Sequence, residues 1–306
     1  MKSLLKALKQ SRGLKVAVVL SYIFFVSASV AQDEDLIETI TQIEAQLNAR
    51  IGVAAYSVGS DLRWQYHADD RFPMSSTFKT LACAALLHRV DSNQENLERV
   101  VKIETKDIVS YSPITETRLA DAGMTLAELC EATITVSDNT ASNLVLGAIG
   151  GPEGLTRFMR SIGDEVTRLD RMETQLNEGV PGDLRDTTTP NAMANAMENL
   201  VLGDVLSASS RAQLEAWLRG DTVADALFRA GIPASWEIGD KTGAGGYGSR
   251  SIAAIMWPPS GNPIVATVYI TETEALFDDR NSAIAQIGAA IAKEFAQSNG
   301  RSKGSE

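Results

Sequence analysis

A chain whose two ends read as strand and whose middle reads as helix has few ways to fold. From about Ser75 to Leu218 apolar residues recur at helical spacing, in STFKTLACAALLHRV, TLAELCEATITVS, NTASNLVLGAIG, GLTRFMRSIG, NAMANAMENLVLG and SSRAQLEAWLRG. Before that block, RIGVAAYSVG and the alternating LRWQYHA pattern as a strand pair, preceded by a helical DLIETITQIEAQLN. After it, SWEIGDKTG, SRSIAAIMWP and IVATVYITE return to strand, and NSAIAQIGAAIAKEF closes as an amphipathic helix. No linker rich in proline or serine separates the parts. The expectation is therefore an α/β fold of the αβα-sandwich kind. An antiparallel sheet built from both ends would form one lobe (residues 32–70 and 219–300), and an inserted all-α lobe (71–218) the other, with a cleft between them. Residues 301–306 are expected to fray.

The first 31 residues stand apart. Lys2, Lys6, Lys9, Arg12 and Lys15 precede the sixteen-residue apolar run VAVVLSYIFFVSASVA, which ends in small residues. That is the pattern of a secretory signal peptide, with a cut expected between Ala31 and Gln32; a retained membrane anchor is the other reading of so short a span. Without those five cations the chain carries 23 basic against 39 acidic residues, a net charge of −16, which disfavours a nucleic-acid partner. Cys83 and Cys130 are the only cysteines, and an exported chain meets an oxidising compartment, so one disulfide is expected, two separate buried thiols being the alternative. With two histidines and no CxxC spacing, no zinc site or other metal centre is expected.

Three short motifs carry chemistry. In PMSSTFKT, residues 73–80, a helix starting near Ser75 would let Lys79 meet the hydroxyl of Ser76 at i+3 or of Ser75 at i+4, and spacing does not choose between them. Free N–H groups at a helix start suit a developing oxyanion, yet a serine there can also be a simple cap. SDN at 137–139 sits where a helix runs out, the ordinary place for a cap or an Asx turn. KTGAGGYGSR at 241–250 joins two strands, and its glycines would admit a close backbone approach at a strand edge. Each is weak alone.

In this order and spacing, SxxK, SDN and KTG are the signature of class A serine β-lactamases and penicillin-binding proteins. With YSP at 111–113, RMETQLNEG at 171–179, DLRDTTTP at 183–190 and DDRN at 278–281, the mature chain resembles a class A serine β-lactamase along essentially its whole length. The resemblance puts the nucleophile on Ser76 and leaves Ser75 as its neighbour. It implies that Lys79 acts as base or proton relay, and that Ser137 protonates the departing ring nitrogen. The backbone N–H groups of Ser76 and Ala244 would form the oxyanion hole. Lys241, Thr242 and Arg250 resemble the group that holds the substrate carboxylate; Asn139 would bind the acylamide side chain and Tyr111 would wall the cleft mouth. Glu173, with Asn177, matches the pair that activates the deacylating water. Arg171 and Asp186 would bridge the neck of a sixteen-residue Ω-loop, and Cys83 and Cys130 match a frequent helix-to-helix disulfide of the family.

The resemblance implies no cofactor, β-lactam antibiotics as substrates with penicillins foremost, inhibition by clavulanate, and a periplasmic or secreted monomer without membrane association once the leader is cut. The departures are Thr174, where many members have proline, Met172, where tryptophan is common, and Ser75 and Gly245, where several carbapenemases carry a cysteine pair; carbapenem hydrolysis is not implied. LNEG, DLRDTTTP and GAGGYGSRSI resemble the carbenicillin-hydrolysing subgroup, although Lys241 stands where that subgroup usually has arginine. A D-Ala-D-Ala carboxypeptidase or transpeptidase would share the serine, lysine and KTG logic, and a β-lactam sensor would acylate and stay acylated. Glu173 and Asn177 oppose both.

Overall fold

The computed structural model describes residues 36–119 and 122–302. The expected leader, residues 1–31, lies outside the described residues. Helix α1 (residues 36–47) leads into strands β1 (Arg50–Ser57) and β2 (Arg63–Tyr66), and the short β3 (Phe72–Pro73) brings the chain to a single 3-10 turn at Ser75–Thr77. Helix α2 (Phe78–Asp91) follows, then β4 (Val100–Val101), β5 (Met124–Thr125), α3 (Leu126–Thr135), α4 (Asn139–Ile149) and α5 (Gly151–Ser161). After β6 (Thr187–Thr188) come α6 (Pro190–Val201), α7 (Ala208–Arg219) and the one-turn α8 (Phe228–Gly231). The chain closes with β7 (Glu237–Ala244), β8 (Arg250–Trp257), β9 (Ile264–Thr271) and α9 (Phe277–Ser302).

The five long strands form one antiparallel sheet in the order β2-β1-β9-β8-β7, so the N-terminal pair joins the C-terminal strands through β1 and β9. Both faces are buried. On β8, Ile252, Ala254 and Met256 enter the core shared with α1 and α9, whereas Ala253 and Ile255 enter the core shared with the helical block. A strand covered on both faces needs apolar residues at every position, which is why SIAAIMW reads as a continuous apolar run. Helix α2 lies at the centre of the helical block: Phe78 through Leu87 are all buried, Lys79 and Thr80 included.

Three details differ from the sequence reading. Helix α9 continues to Ser302, two residues into the stretch expected to fray. Cys83 and Cys130 are two buried thiols rather than a disulfide. They face each other across the α2–α3 contact at hydrogen-bonding rather than bonding separation, with Cys83 Sγ donating to the Cys130 carbonyl at 3.9 Å, and burial pushes the Cys130 thiol well above its ordinary value. The short pairs β3–β6 and β4–β5 were not legible at all. Among the described residues no helix is long and apolar enough to cross a membrane.

Candidate active site

A cleft of about 320 Å³ opens where the sheet edge meets the helical block, lined by Ser76, Tyr111, Ser137, Asn139, Asn177, Val223, Thr242, Gly243, Ala244, Arg250 and Phe277. The three motifs converge there because each ends an element at the junction. The 3-10 turn presents Ser76 half-buried at the head of α2, and one turn further on Lys79 is fully buried behind it.

The SDN segment serves both of its readings at once. Asp138 caps α4 through the Ala141 N–H at 2.8 Å and also accepts from the N–H groups of Ile114 and Thr115, tying down the 111–115 loop. Its neighbours turn toward Lys79, whose Nζ donates to the Ser137 carbonyl at 2.7 Å, to Ser137 Oγ at 3.2 Å and to Asn139 Oδ1 at 2.6 Å. Asn139 Nδ2 donates to Ser110 O at 2.9 Å, and the Asn139 N–H donates to Tyr111 O at 3.0 Å, so Asn139 is held from both sides while Tyr111 remains 57% exposed at the mouth.

Glu173 completes the group. Its carboxylate is buried, with Oε1 3.3 Å from Lys79 Nζ and Oε2 accepting from Asn177 Nδ2 at 2.5 Å. Burial pulls the Lys79 ammonium from its ordinary 10.5 down to about 8, against the Glu173 carboxylate, while the nearby Lys241 reinforces burial. Asn177 Oδ1 is a buried acceptor with no protein hydrogen bond, and Glu173 Oε1 has only the Lys79 ion pair. Two such oxygens beside a serine-bearing cleft suit a water molecule, which would satisfy both.

The loop carrying Glu173 is fastened at three places. At its neck Asp186 Oδ1 accepts from the N–H groups of Asp170 and Arg171, and Oδ2 from Arg171 Nε at 2.6 Å. At Glu173 itself, Asn143 grips the backbone in both directions, accepting from the N–H at 2.9 Å and donating to the carbonyl at 3.0 Å. At the far end Gly246 N–H donates to Asn177 O at 2.8 Å. A Cβ on Gly246 would stand 2.2 Å from the Glu178 carbonyl, so the backbone that approaches this glycine is the protein's own loop.

On the opposite wall Lys241 is fully buried against Asp221 at 3.4 Å, and burial lowers its ammonium while Asp221 opposes. Arg250 is aimed by Asn281 Oδ1 at 2.7 Å from Nε and by Gly243 O at 3.0 Å from Nη1. Burial, then the neighbouring Arg280, lowers its guanidinium to about 10. Four residues around the site hold left-handed backbone without being glycine: Ser75 (φ 44°), Tyr111 (62°), Ser137 (61°) and Asp186 (58°).

Each residue expected at the site therefore has a position in or behind this cleft, apart from Cys83 and Cys130, which belong to the helical core, and Arg171 and Asp186, which lie at the loop neck. Sequence reasoning missed Asn143, Asp221, Asn281 and Phe277. Asn143 stands one helical turn after Asn139 and so had a spacing signal, and Asn281 lies in the DDRN stretch at 278–281, which carried the resemblance without a role for it; Asp221 and Phe277 are joined to the site only by the fold.

The sequence matches the family described as β-lactamase enzyme family over residues 35–295. It is 48% identical over 285 residues to β-lactamase AER-1 of Aeromonas hydrophila, spanning 92% of this chain and 94% of that protein. To β-lactamase PSE-4 of Pseudomonas aeruginosa it is 43% identical over 278 residues, spanning 91% and 96%. Among solved structures, an ancestral class A β-lactamase superposes with a TM-score of 0.83 at 52% identity, covering 84% of this chain and 99% of that one.

Proposed function

The chain belongs to the β-lactamase enzyme family as a class A serine β-lactamase, and from that premise we propose that it opens penicillins and some cephalosporins through an acyl-enzyme on Ser76. The serine oxygen attacks the β-lactam carbonyl carbon while its proton passes to the buried Lys79–Glu173 pair. The N–H groups of Ser76 and Ala244 hold the oxyanion. The ring C–N bond then breaks, and the nitrogen takes a proton from Lys79 by way of Ser137, 3.2 Å from Lys79 Nζ. Glu173 next removes a proton from a water held against Asn177, and the resulting oxygen attacks the ester and returns Ser76 with its proton. Arg250, Thr242 and Lys241 bind the substrate carboxylate, Asn139 the acylamide, and Tyr111 the side chain at the mouth. The enzyme would act as a monomer outside the cytoplasm, with residues 1–31 as its export signal and clavulanate as an inhibitor acylating the same serine.

The observation that carries this reading is the buried Glu173 carboxylate, paired at once with Lys79 and Asn177. A transpeptidase or a sensor has no need of a carboxylate held there. Glu173→Gln is expected to trap a penicilloyl adduct on Ser76, seen as a mass increase, while the unaltered protein turns over. An unaltered protein that also accumulates the adduct would be a sensor, and steady turnover by Ser76→Ala would refute the mechanism.

A further inference from the structure

Phe277 is an unusual first residue for a helix. It stands 47% exposed at the cleft mouth and lines the same cleft as Ser76 and Arg250. It is also pinned, because the guanidinium of Arg250 lies over its ring at 4.8 Å from the centroid and that of Arg280 at 5.4 Å. A phenylalanine on a helix end would ordinarily sample several rotamers, but two cations on one ring select a single orientation. Arg250 is itself fixed by Asn281 and Gly243, so the ring inherits the geometry of the residue that faces the substrate carboxylate.

We propose that Phe277 is a specificity-determining residue, an apolar wall that receives the substituent on the ring carbon next to the carboxylate-bearing carbon of the substrate. The inference rests on the reading of Arg250 as a carboxylate ligand. A carboxylate held by Arg250 places its neighbouring ring carbon one bond further on, and a flat apolar group extending from that carbon meets the Phe277 ring lying against the same guanidinium. Cephems carry a variable group at this position; penicillins carry only methyl groups. Phe277 therefore discriminates among cephems by what they bear beside the carboxylate, whereas Tyr111 and Asn139 line the part of the cleft assigned to the acylamide side. Aromatic pairs contribute enough beyond area burial to make the preference about threefold to tenfold.

The test uses the full chain and two cephems with the same acylamide, one carrying methyl and one styryl beside the carboxylate, neither group able to leave. The readout is the ratio of kcat/KM for styryl over methyl. Phe277→Ala is expected to lower that ratio about threefold to tenfold through a rise in the styryl KM, and Phe277→Trp to preserve it. An unchanged ratio in Phe277→Ala overturns the proposal, as does an equal loss on both substrates, which would mean that Phe277 only steadies Arg250. A ratio that falls as far in Phe277→Trp as in Phe277→Ala overturns it too. Failure of the hydrolase reading would look different, since the unaltered protein would then turn over neither cephem.

Discussion

Replacing Asp186 by asparagine tests whether the loop neck or the loop's inner contacts keep Glu173 in place. The carboxylate is fully buried and accepts from Asp170 N–H at 2.8 Å, Arg171 N–H at 3.0 Å and Arg171 Nε at 2.6 Å. Asparagine tolerates the left-handed backbone at this position, and its single oxygen can keep both backbone donors. It then turns an NH2 group toward Arg171 Nε, donor against donor, and leaves a mostly buried guanidinium with Glu178 as its remaining carboxylate. A charge-assisted hydrogen bond is worth about 1.5–3 kcal/mol, and stripping the partner from a fully buried ion costs more, about 3–5 kcal/mol. Because Arg171 keeps Glu178 and some solvent, about 2–3 kcal/mol is the expected loss. In a chain of this size that lowers Tm by about 4 °C if the loss is global. If the loop opens locally, the same energy shows as displaced Glu173. Two assays cover both cases: thermal unfolding, and a stopped-flow burst with a penicillin, in which slowed deacylation makes acyl-enzyme accumulate. Because the Asp186 carbonyl also accepts from Met74 N–H at 3.0 Å, two residues before Ser76, the proposed nucleophile, some loss of acylation is expected alongside. An unchanged Tm together with unchanged turnover would refute the reasoning and make the pair an ordinary surface bridge, worth about 0–1 kcal/mol.

Two further outcomes follow from the site. Burial holds the folded-state pKa of Lys79 at about 8, below its ordinary 10.5, so between those values the unfolded chain binds more protons than the folded one and stability rises with pH. Measured by urea denaturation against Lys79→Met, the unaltered protein should gain up to about 3 kcal/mol across that window; a flat difference would show that Lys79 titrates normally. Gly246→Ala would drive a methyl group to 2.2 Å from the Glu178 carbonyl, and the loop can yield only by moving Asn177 with it. A stability loss of about 1–3 kcal/mol and slower deacylation are expected, and a variant with unaltered Tm and kcat would show the loop to be freer than the contact implies.

How much of this was legible in the sequence depended on whether a residue took part in a repeat or a motif. Helices α2 to α7 announced themselves because their buried positions recur at helical spacing, and strands β7 to β9 because burial on both faces leaves unbroken apolar runs. Ser76, Lys79 and Ser137 were found because SxxK and SDN, with KTG, carry a family resemblance; spacing alone put Lys79 within reach of both Ser75 and Ser76 and left Ser137 readable as a cap. Asp221 had no such signal, and Asn281, although it closes the DDRN stretch, had nothing to tie it to Arg250. Each is a single polar residue whose partner, Lys241 or Arg250, is some 20 or 31 positions away in sequence. Nothing local marks a polar side chain that will be buried by a distant element. Cys83 and Cys130 show the opposite failure: their proximity was foreseen, but the separation of their sulfurs depends on how α2 seats on α3, which spacing does not record.

The left-handed backbones of Ser75, Tyr111 and Ser137 bear on how such a chain can evolve or be engineered. Each holds a conformation that costs a non-glycine residue on the order of 1 kcal/mol or more; Ser75 adjoins the proposed nucleophile, Ser137 accepts from Lys79, and Tyr111 stands at the cleft mouth. A search for stabilising substitutions would find these positions early, because asparagine or glycine relieves the local conflict. It would find them without any sign that they aim the chemistry. Stabilisation pursued alone would therefore begin by wearing away the cleft.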